Sequence, residues 1–120
     1  MRRYKLTVVT AADGTATAYS PRISGEIHQI SYVKTDYTDG VDFTITAEAT
    51  GQNIWTESNV NASTDRAPRQ PTHSQVGAAL LYAAAGAAVA DCIALGNDRL
   101  KIVLAQGGAT KTGTFHVLVD

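Results

Sequence analysis

Apolar and polar residues alternate along most of this chain with a period of two, the pattern typical of half-buried β-strands. The clearest stretch runs from Asp42 to Thr50, where acidic residues and threonines alternate with apolar residues. The apolar positions are Phe43, Ile45, Ala47 and Ala49. Gly51 follows the last of them, so we expect one strand with a buried face and a solvent-exposed face that ends at this glycine.

The C-terminal stretch Arg99–Asp120 contains two further runs of this kind, separated by a loop of Gly, Ala, Thr and Lys. The apolar positions of the two runs are Leu100, Ile102, Leu104, Phe115, Val117 and Val119. We expect the runs to be the half-buried strands of one hairpin, because Gly107, Gly108 and Gly113 supply the backbone freedom that such a loop needs.

Shorter strand signals recur along the rest of the chain, with turn signals such as Asp13-Gly14 between them. The segments concerned are 4–8, 15–19, 25–35, 54–57 and 91–95. In the third of these, Ile27 and Ile30 would face opposite sides, which predicts a central strand or a β-bulge that resets the register. Strands at this spacing favour an all-β fold, a single-domain antiparallel β-sandwich that is jelly-roll-like.

The middle of the chain is less regular. Residues 58–77 are polar, contain two prolines and have no period, so we predict a long loop. Loops of this length are usually functional or disordered. The alanine-rich residues 78–90 favour helix by propensity, but Gly77 and Gly86 bracket only about two turns. We expect at most a short Ala-rich helix here, or a strand of small residues packed closely against a neighbour.

Length and charge limit the class of protein. The 120 residues suit one domain, 1–120, with residues 1–4 as an N-terminal arm. The net charge of −1 gives no general attraction to nucleic acid or anionic lipid, so neither is an expected partner. No apolar stretch is long enough to span a bilayer, so no membrane is expected either. The single cysteine, Cys92, excludes a disulfide within the chain and fits folding in a reducing cytoplasm.

Residues that could carry chemistry are few and scattered. Asp36, Asp39 and Asp42 lie at three-residue spacing, whereas calcium loops need acids at alternating positions and a distal glutamate, so we interpret this segment as a turn. The histidines are His28, His73 and His116. A sandwich could bring His28 and His116 together. The spacing of the histidines matches no metal-binding motif. A free cysteine such as Cys92 is commonly a small buried apolar residue. We therefore expect no enzyme, no cofactor, and no catalytic or metal-binding residues.

An interaction surface is the remaining candidate. The long loop combines arginines with prolines into a stiff basic segment that would strap onto a neighbouring subunit, the alternative being a solvated loop. Trp55 lies beside Ile54, so one of the two would face outward if the strand alternates, the alternative being a tryptophan buried in the sandwich. The candidate interface residues are Arg2, Arg3, Trp55, Asn59, Asn61, Arg66, Pro68, Arg69 and Pro71.

Three segments together resemble a family of small structural proteins of tailed bacteriophages. The segments are GEIHQISYVKTDYTDGVDFTITAEATGQNIWTESNVNAS, APRQPTH and NDRLKIVLAQGGATKTGTFHVLVD. The most specific parts are DGVDFTIT and the pair LKIVLAQGG and GTFHV, and the resemblance covers the chain from about Gly25 to its end. It implies a β-sandwich protein of the virion, made in the bacterial host cytoplasm, with no functional motif residues to carry over.

The resemblance implies a capsid decoration (minor capsid or cement) protein that binds the shell as an oligomer. The expected partners are copies of itself, as a homotrimer or another symmetric oligomer, and the major capsid protein. The alternative is a neck, tail or baseplate ring subunit, whose partners would be neighbouring neck or tail proteins. A second alternative is a glycan- or receptor-binding module, which would use an exposed Trp55 with Asn53 or Glu57.

Overall fold

Ten β-strands and no helix make up the computed structural model, which describes every residue from Met1 to Asp120. The strands are β1 (Arg2–Val9), β2 (Ala16–Tyr19), β3 (Ile23–Lys34), β4 (Val41–Ala47), β5 (Asn53–Val60), β6 (Thr64–Arg66), β7 (Arg69–Pro71), β8 (Ala90–Asp98), β9 (Leu100–Ala105) and β10 (Thr112–Val119). The predicted all-β class is confirmed. No helix long and apolar enough to cross a membrane is present.

The strands form two antiparallel sheets that pack face to face as a sandwich. The six-stranded sheet has the order β1–β10–β3–β8–β7, and β6 also pairs with β3. The four-stranded sheet has the order β2–β9–β4–β5. The longest strand, β3, pairs with β10 along one side and with β8 and β6 along the other. Because β3 has neighbours on both sides, the predicted central strand is confirmed.

The core between the sheets is built around aromatic rings. The ring of Phe43 meets that of Trp55 edge to face, with centroids 4.7 Å apart, and that of Phe115 at 5.2 Å. Such edge-to-face contacts between aromatic rings add stability beyond the burial of their apolar area. The predicted alternation in β4 is confirmed for Phe43 and Ala47, whereas Ala49 is exposed because the strand ends before it in a turn.

A β-bulge in β3 explains why its apolar residues do not keep to one parity. Ile27 and Gln29, two positions apart, pair with consecutive residues of β10, so His28 is an extra residue on β3. The extra residue places Ile27 and Ile30 on the same, buried side of the strand, and leaves His28 on the outer face. The predicted bulge is therefore confirmed, while the expectation that the two isoleucines face opposite sides is wrong.

The predicted C-terminal hairpin is wrong, because its two strands belong to different sheets. Strand β9 pairs with β2 and β4, whereas β10 pairs with β1 and β3. The loop between them crosses the end of the sandwich and is held by bonds from Gly107 N to Gly14 O (3.0 Å) and from Thr110 N to Ala11 O (3.3 Å). The predicted parity of each run is nevertheless correct, because both sheets turn one face toward the same core.

Two segments predicted to be irregular contain β-strands, and the Ala-rich segment, where at most a short helix or a strand of small residues was expected, has only isolated β-bridges before β8 begins. Residues 1–4 are not a free arm, because β1 begins at Arg2 and pairs with β10. Residues 58–77 are not one loop, because they contain the end of β5 and the strands β6 and β7. Residues 78–90 form no helix, since Gly77 and Ala85 adopt φ values of 83° and 60° that turn the chain back on itself. A helix of so few residues would be marginal without a packed apolar face.

Candidate interaction surface

Residues 72–89 project from the pair of strands β7 and β8, and we call this segment the arm. Two isolated β-bridges fold it into two small lobes. The bridges join His73 to Ala79 and Leu81 to Ala88. Gly77 turns the chain in the first lobe and Ala85 in the second, each with a positive φ. The arm is therefore a folded extension of the sheet, although it has no core of its own.

A closed ring of backbone hydrogen bonds holds the base of the arm. Thr72 N donates to Val89 O at 2.8 Å, Val89 N donates to Leu80 O at 2.9 Å, and Leu80 N donates to Thr72 O at 3.0 Å. The hydroxyl of Thr72 donates to the Val89 carbonyl as well, at 3.1 Å. Because these bonds satisfy backbone groups of Thr72, Leu80 and Val89, the base of the arm keeps a defined shape without a packed core.

The arm exposes apolar side chains and has no charged residue. Val76 is 91% exposed and Tyr82 is 76% exposed, while Leu80 and Leu81 are about half exposed at 47% and 46%. The sequence contains no Asp, Glu, Lys or Arg between Arg69 and Asp91. Contiguous exposed apolar residues typically mark a contact with another protein, so the arm is the strongest candidate for an interaction surface.

The arm and strand β1 lie at opposite edges of the six-stranded sheet. Strand β7, which leads into the arm, is the outermost strand at one edge, and β1 is the outermost strand at the other. Arg2, Arg3 and Lys5 are exposed on β1. Charged side chains on an edge strand oppose unspecific pairing with other chains. The structure thus places the candidate residues Arg2 and Arg3 far along the sheet from the arm, on a second surface.

Both loop arginines bind partners within the chain. The guanidinium of Arg66 donates two hydrogen bonds to the carboxylate of Glu57, from Nε at 2.9 Å and from Nη2 at 3.1 Å. Nη1 of Arg69 donates to the carbonyl oxygens of Pro68 at 2.9 Å and His28 at 3.2 Å. These hydrogen bonds fasten β6 and β7 to the sandwich, and Arg66 alone uses the bidentate geometry that a guanidinium forms with a carboxylate.

Two candidate asparagines stabilise the turn before β4. Oδ1 of Asn61 accepts a hydrogen bond from Gly40 N at 2.7 Å, and Asn59 N donates to Oδ1 of Asp42 at 2.8 Å. Asn59 has a φ of 57°, a left-handed conformation that asparagine tolerates better than most residues. Both residues are exposed, but their polar groups face this turn.

The other two aspartates of this segment have separate partners. Oδ1 of Asp36 accepts a hydrogen bond from Thr112 N at 2.5 Å, and Asp39 forms an ion pair with Lys34. Together with Asp42, each carboxylate therefore binds a different group of the chain. This arrangement agrees with the interpretation of the segment as a turn.

Trp55 is buried, so of the two possibilities left open by the sequence, the tryptophan packed inside the sandwich is confirmed. A register shift leaves Ile54 as an extra residue on β5, and both Ile54 and Trp55 then face the core with 6% exposure each. The indole Nε1 donates to Glu57 at 3.1 Å. A glycan-binding site that relies on Trp55 would therefore have no exposed aromatic ring.

Of the two candidate prolines, Pro68 is also buried, while Pro71 is exposed at the base of the arm.

The three histidines lie in different places. His116 pairs with Ser31 across β10 and β3, and His73 lies in the arm. The side chain of His28 instead lies beside those of Glu26 and Cys92, on the outer face of the six-stranded sheet. Sequence reasoning missed this group because its members come from two strands that lie far apart in the chain.

The arm lies outside the interface residues predicted from the sequence, although the sequence contained a signal for it. The signal is the uncharged stretch between Arg69 and Asp91, which lacks the polar alternation of the neighbouring strands. No protein-family model matches the chain, and a search of curated proteins finds no significant match. Inferences about function therefore rest on the surfaces of this chain and on the sequence resemblance.

Proposed function

We propose that this chain is a non-enzymatic structural protein of a tailed-phage virion, a capsid decoration (minor capsid or cement) protein that stabilises the head by binding the shell as an oligomer. The observation that carries the proposal is the arm, residues 72–89, an ordered extension with exposed apolar side chains and no charge. In this role the arm contacts the shell or a neighbouring copy, and the sandwich serves as a rigid support.

The chemistry of the arm suits repeated, closely packed contacts. Its many alanines let another backbone approach, and Leu81 and Tyr82 supply apolar area that would be removed from water. An uncharged arm on a chain of net charge −1 meets little repulsion when many copies lie side by side. Repetition around a symmetry axis adds avidity, so each single contact needs only modest affinity.

A ring subunit of the neck, tail or baseplate is the second candidate, and one observation favours it. The arm and the unpaired side of β1 lie at opposite edges of one sheet. If the arm of one copy contacts the β1 edge of the next, the contact is head-to-tail, and such contacts close into a ring when the rotation between neighbouring subunits closes. The cationic residues of β1 would then lie at the interface between subunits.

The test is to mix the purified chain with phage heads that lack it and to image the particles by cryo-electron microscopy. Regular extra density over the shell supports the decoration role and gives the symmetry of the oligomer. Density at the portal vertex alone supports the ring subunit instead. Particles without added density at either place contradict the decoration role, and tail fractions would then be examined for the ring.

Two variants test whether the arm makes the contact. In the first, residues 73–88 are replaced by Asn-Gly, because Thr72 and Val89 are already hydrogen-bonded and a two-residue turn can join them. The second is Tyr82→Asp, which adds a charge to an exposed position. Its matched control is Val9→Asp, at a 55% exposed valine of β1, at the opposite sheet edge.

We expect the arm deletion to fold and to leave the heads bare, and Tyr82→Asp to need at least about tenfold more protein for half occupancy. The control Val9→Asp should coat particles as the unchanged chain does. Normal occupancy of the heads by the arm deletion would show that another surface makes the contact. A loss of head occupancy with Val9→Asp but not with Tyr82→Asp would assign the contact to the β1 edge.

A further inference from the structure

The outer face of the six-stranded sheet brings together three side chains that differ in chemistry. Glu26 and His28 belong to β3 and Cys92 belongs to β8, and their potential ligand atoms all lie within 4.8 Å of one another. The pairing of the strands accounts for this, since Ile27 lies opposite Ile93 with both side chains in the core. The residues that flank these two along each strand therefore turn outward together.

The imidazole of His28 has a buried nitrogen without a partner. About a third of the side chain is exposed, 31%, but Nε2 itself is buried and has no hydrogen-bond partner. His28 is also the extra residue of the bulge in β3, and bulges often re-aim a side chain beside a functional site. A buried nitrogen with an unused lone pair or proton is unfavourable unless something binds it.

A second carboxylate faces the same nitrogen. Asp120 exchanges two backbone hydrogen bonds with Glu26, each of 2.9 Å, so the two residues lie directly opposite each other. Oδ2 of Asp120 is 3.7 Å from Nε2 of His28. This separation is too long for a hydrogen bond, but it is close to the distance between two ligands of one metal ion.

We propose that Glu26, His28 and Cys92 bind one Zn²⁺ ion, with Asp120 as the fourth ligand. Zinc takes thiolate, imidazole and carboxylate ligands in tetrahedral sites at about 2.0–2.3 Å, so its ligand atoms lie about 3.5 Å apart. Side-chain rotation closes the remaining gap, because the backbone of β3 and β8 already presents the ligands. Calcium and magnesium prefer oxygen ligands alone, so a site with sulfur and nitrogen does not suit them.

Two positively charged groups flank the site. Arg69 pairs with Cys92 across β7 and β8, and the amino group of Met1 lies 3.6 Å from Oδ1 of Asp120. Nη1 of Arg69 is bound to the carbonyl oxygens of Pro68 and His28, so the guanidinium is held by the backbone beside the ligands.

Zinc would join three strands near the base of the arm. Cys92 lies on β8 just after the arm rejoins the sheet, Glu26 and His28 lie on β3, and Asp120 follows β10. The ion would thus fasten the strand that carries the arm to the centre of the sheet. This inference stands apart from the virion role, since a zinc site and a capsid contact can each exist without the other.

The experiment uses the full chain, treated with chelator and then titrated with ZnCl₂ by isothermal calorimetry. We expect one ion per chain and a higher melting temperature with zinc. Titration with Co²⁺ should give the absorption band of a thiolate-to-cobalt bond, and zinc should protect Cys92 from alkylation by iodoacetamide. These two readouts need no variant, so they remain valid even if a substitution disturbs folding.

Variants then assign the ligands. Cys92→Ser, His28→Gln and Glu26→Gln should each weaken zinc binding at least about tenfold, and Asp120→Asn should weaken it as well. His116→Gln is the matched control, because this histidine lies in the same six-stranded sheet, on β10, but outside the cluster. Its zinc affinity should equal that of the unchanged chain.

Three results would overturn the site. The first is no zinc binding by the unchanged chain, and the second is binding without a thiolate band or protection of Cys92. The third is a loss of zinc affinity in His116→Gln as large as the loss in His28→Gln. Unchanged affinity in Asp120→Asn would remove Asp120 from the ligand set.

Discussion

Tyr32 and Tyr37 stack in the core with ring centroids 6.2 Å apart and planes inclined by 12°, yet only one of their hydroxyl groups has a partner. The hydroxyl of Tyr37 donates to the Val8 carbonyl oxygen at 2.5 Å, whereas the buried hydroxyl of Tyr32 has no hydrogen bond. Two residues of the same type, in contact and equally buried, therefore differ in what their polar group contributes.

Replacement of each tyrosine by phenylalanine should give opposite results. Tyr37→Phe removes a buried hydrogen bond and should lower the free energy of unfolding by about 1 kcal/mol. Tyr32→Phe removes a hydroxyl that is buried without a partner, so it should leave stability unchanged or raise it. Urea denaturation of the two variants at neutral pH measures the difference. A larger loss of free energy of unfolding in Tyr32→Phe than in Tyr37→Phe would contradict the hydrogen-bond assignment.

Stability should fall at alkaline pH because of the same two residues. Burial raises the pKa of Tyr32 to about 12. Burial, and then the charge that Tyr32 would carry, also raise the pKa of Tyr37. In the unfolded chain both ionise near pH 10, so above about pH 10 the unfolded state releases protons that the folded state keeps. The stabilising contribution is complete below pH 10 and is lost as the pH rises toward the folded-state pKa values.

The measurement is the free energy of unfolding from neutral pH to about pH 11, compared with a variant in which both tyrosines are phenylalanine. The double variant should show a shallower decline than the unchanged chain. Equal declines in the two proteins would mean that other groups cause the alkaline loss.

Gly113 should not tolerate a side chain, because it packs against the Tyr37 ring. A Cβ at this position would lie 2.7 Å from Cδ2 of Tyr37, which real contacts do not reach. Gly113→Ala should lower the free energy of unfolding by about 1–3 kcal/mol or more, since the ring is itself enclosed by the core. The control is Gly96→Ala in β8, where a Cβ would meet no atom within 4 Å. Its effect should stay within about 0.5 kcal/mol.

Asp98 should be important for stability because it joins the two sheets. It lies at the end of β8 with 7% exposure, and its carboxylate accepts hydrogen bonds from Arg99 N at 2.8 Å and Ala49 N at 3.1 Å. Ala49 follows β4 of the other sheet, so Asp98→Ala leaves the backbone amides of Arg99 and Ala49 unpaired. We expect a loss of about 1–3 kcal/mol in urea denaturation, against little change for the exposed Asp65→Ala.

At Trp55 and in the arm, the structure differs from what the local sequence pattern predicts. The sequence predicted a strand at Ile54–Glu57 and was correct, but a strict alternation would expose one residue of the Ile54-Trp55 pair. The extra residue on β5 buries both, and only pairing with β4 decides where such a residue is inserted. In the arm, alanine propensity favoured helix, whereas the structure has turns and isolated β-bridges held by the hydrogen bonds among Thr72, Leu80 and Val89.

The sequence by itself determined the existence of most strands and the face that each one buries. Side-chain alternation is a property of the extended backbone, so Phe43 in β4 or Phe115 in β10 could be assigned to the core from local pattern alone. The tertiary structure decided the rest: that β9 and β10 belong to different sheets, and that Glu26, His28 and Cys92 meet. These features depend on pairing between residues far apart in the chain, which is selected by the packing of the whole core and leaves no local signal.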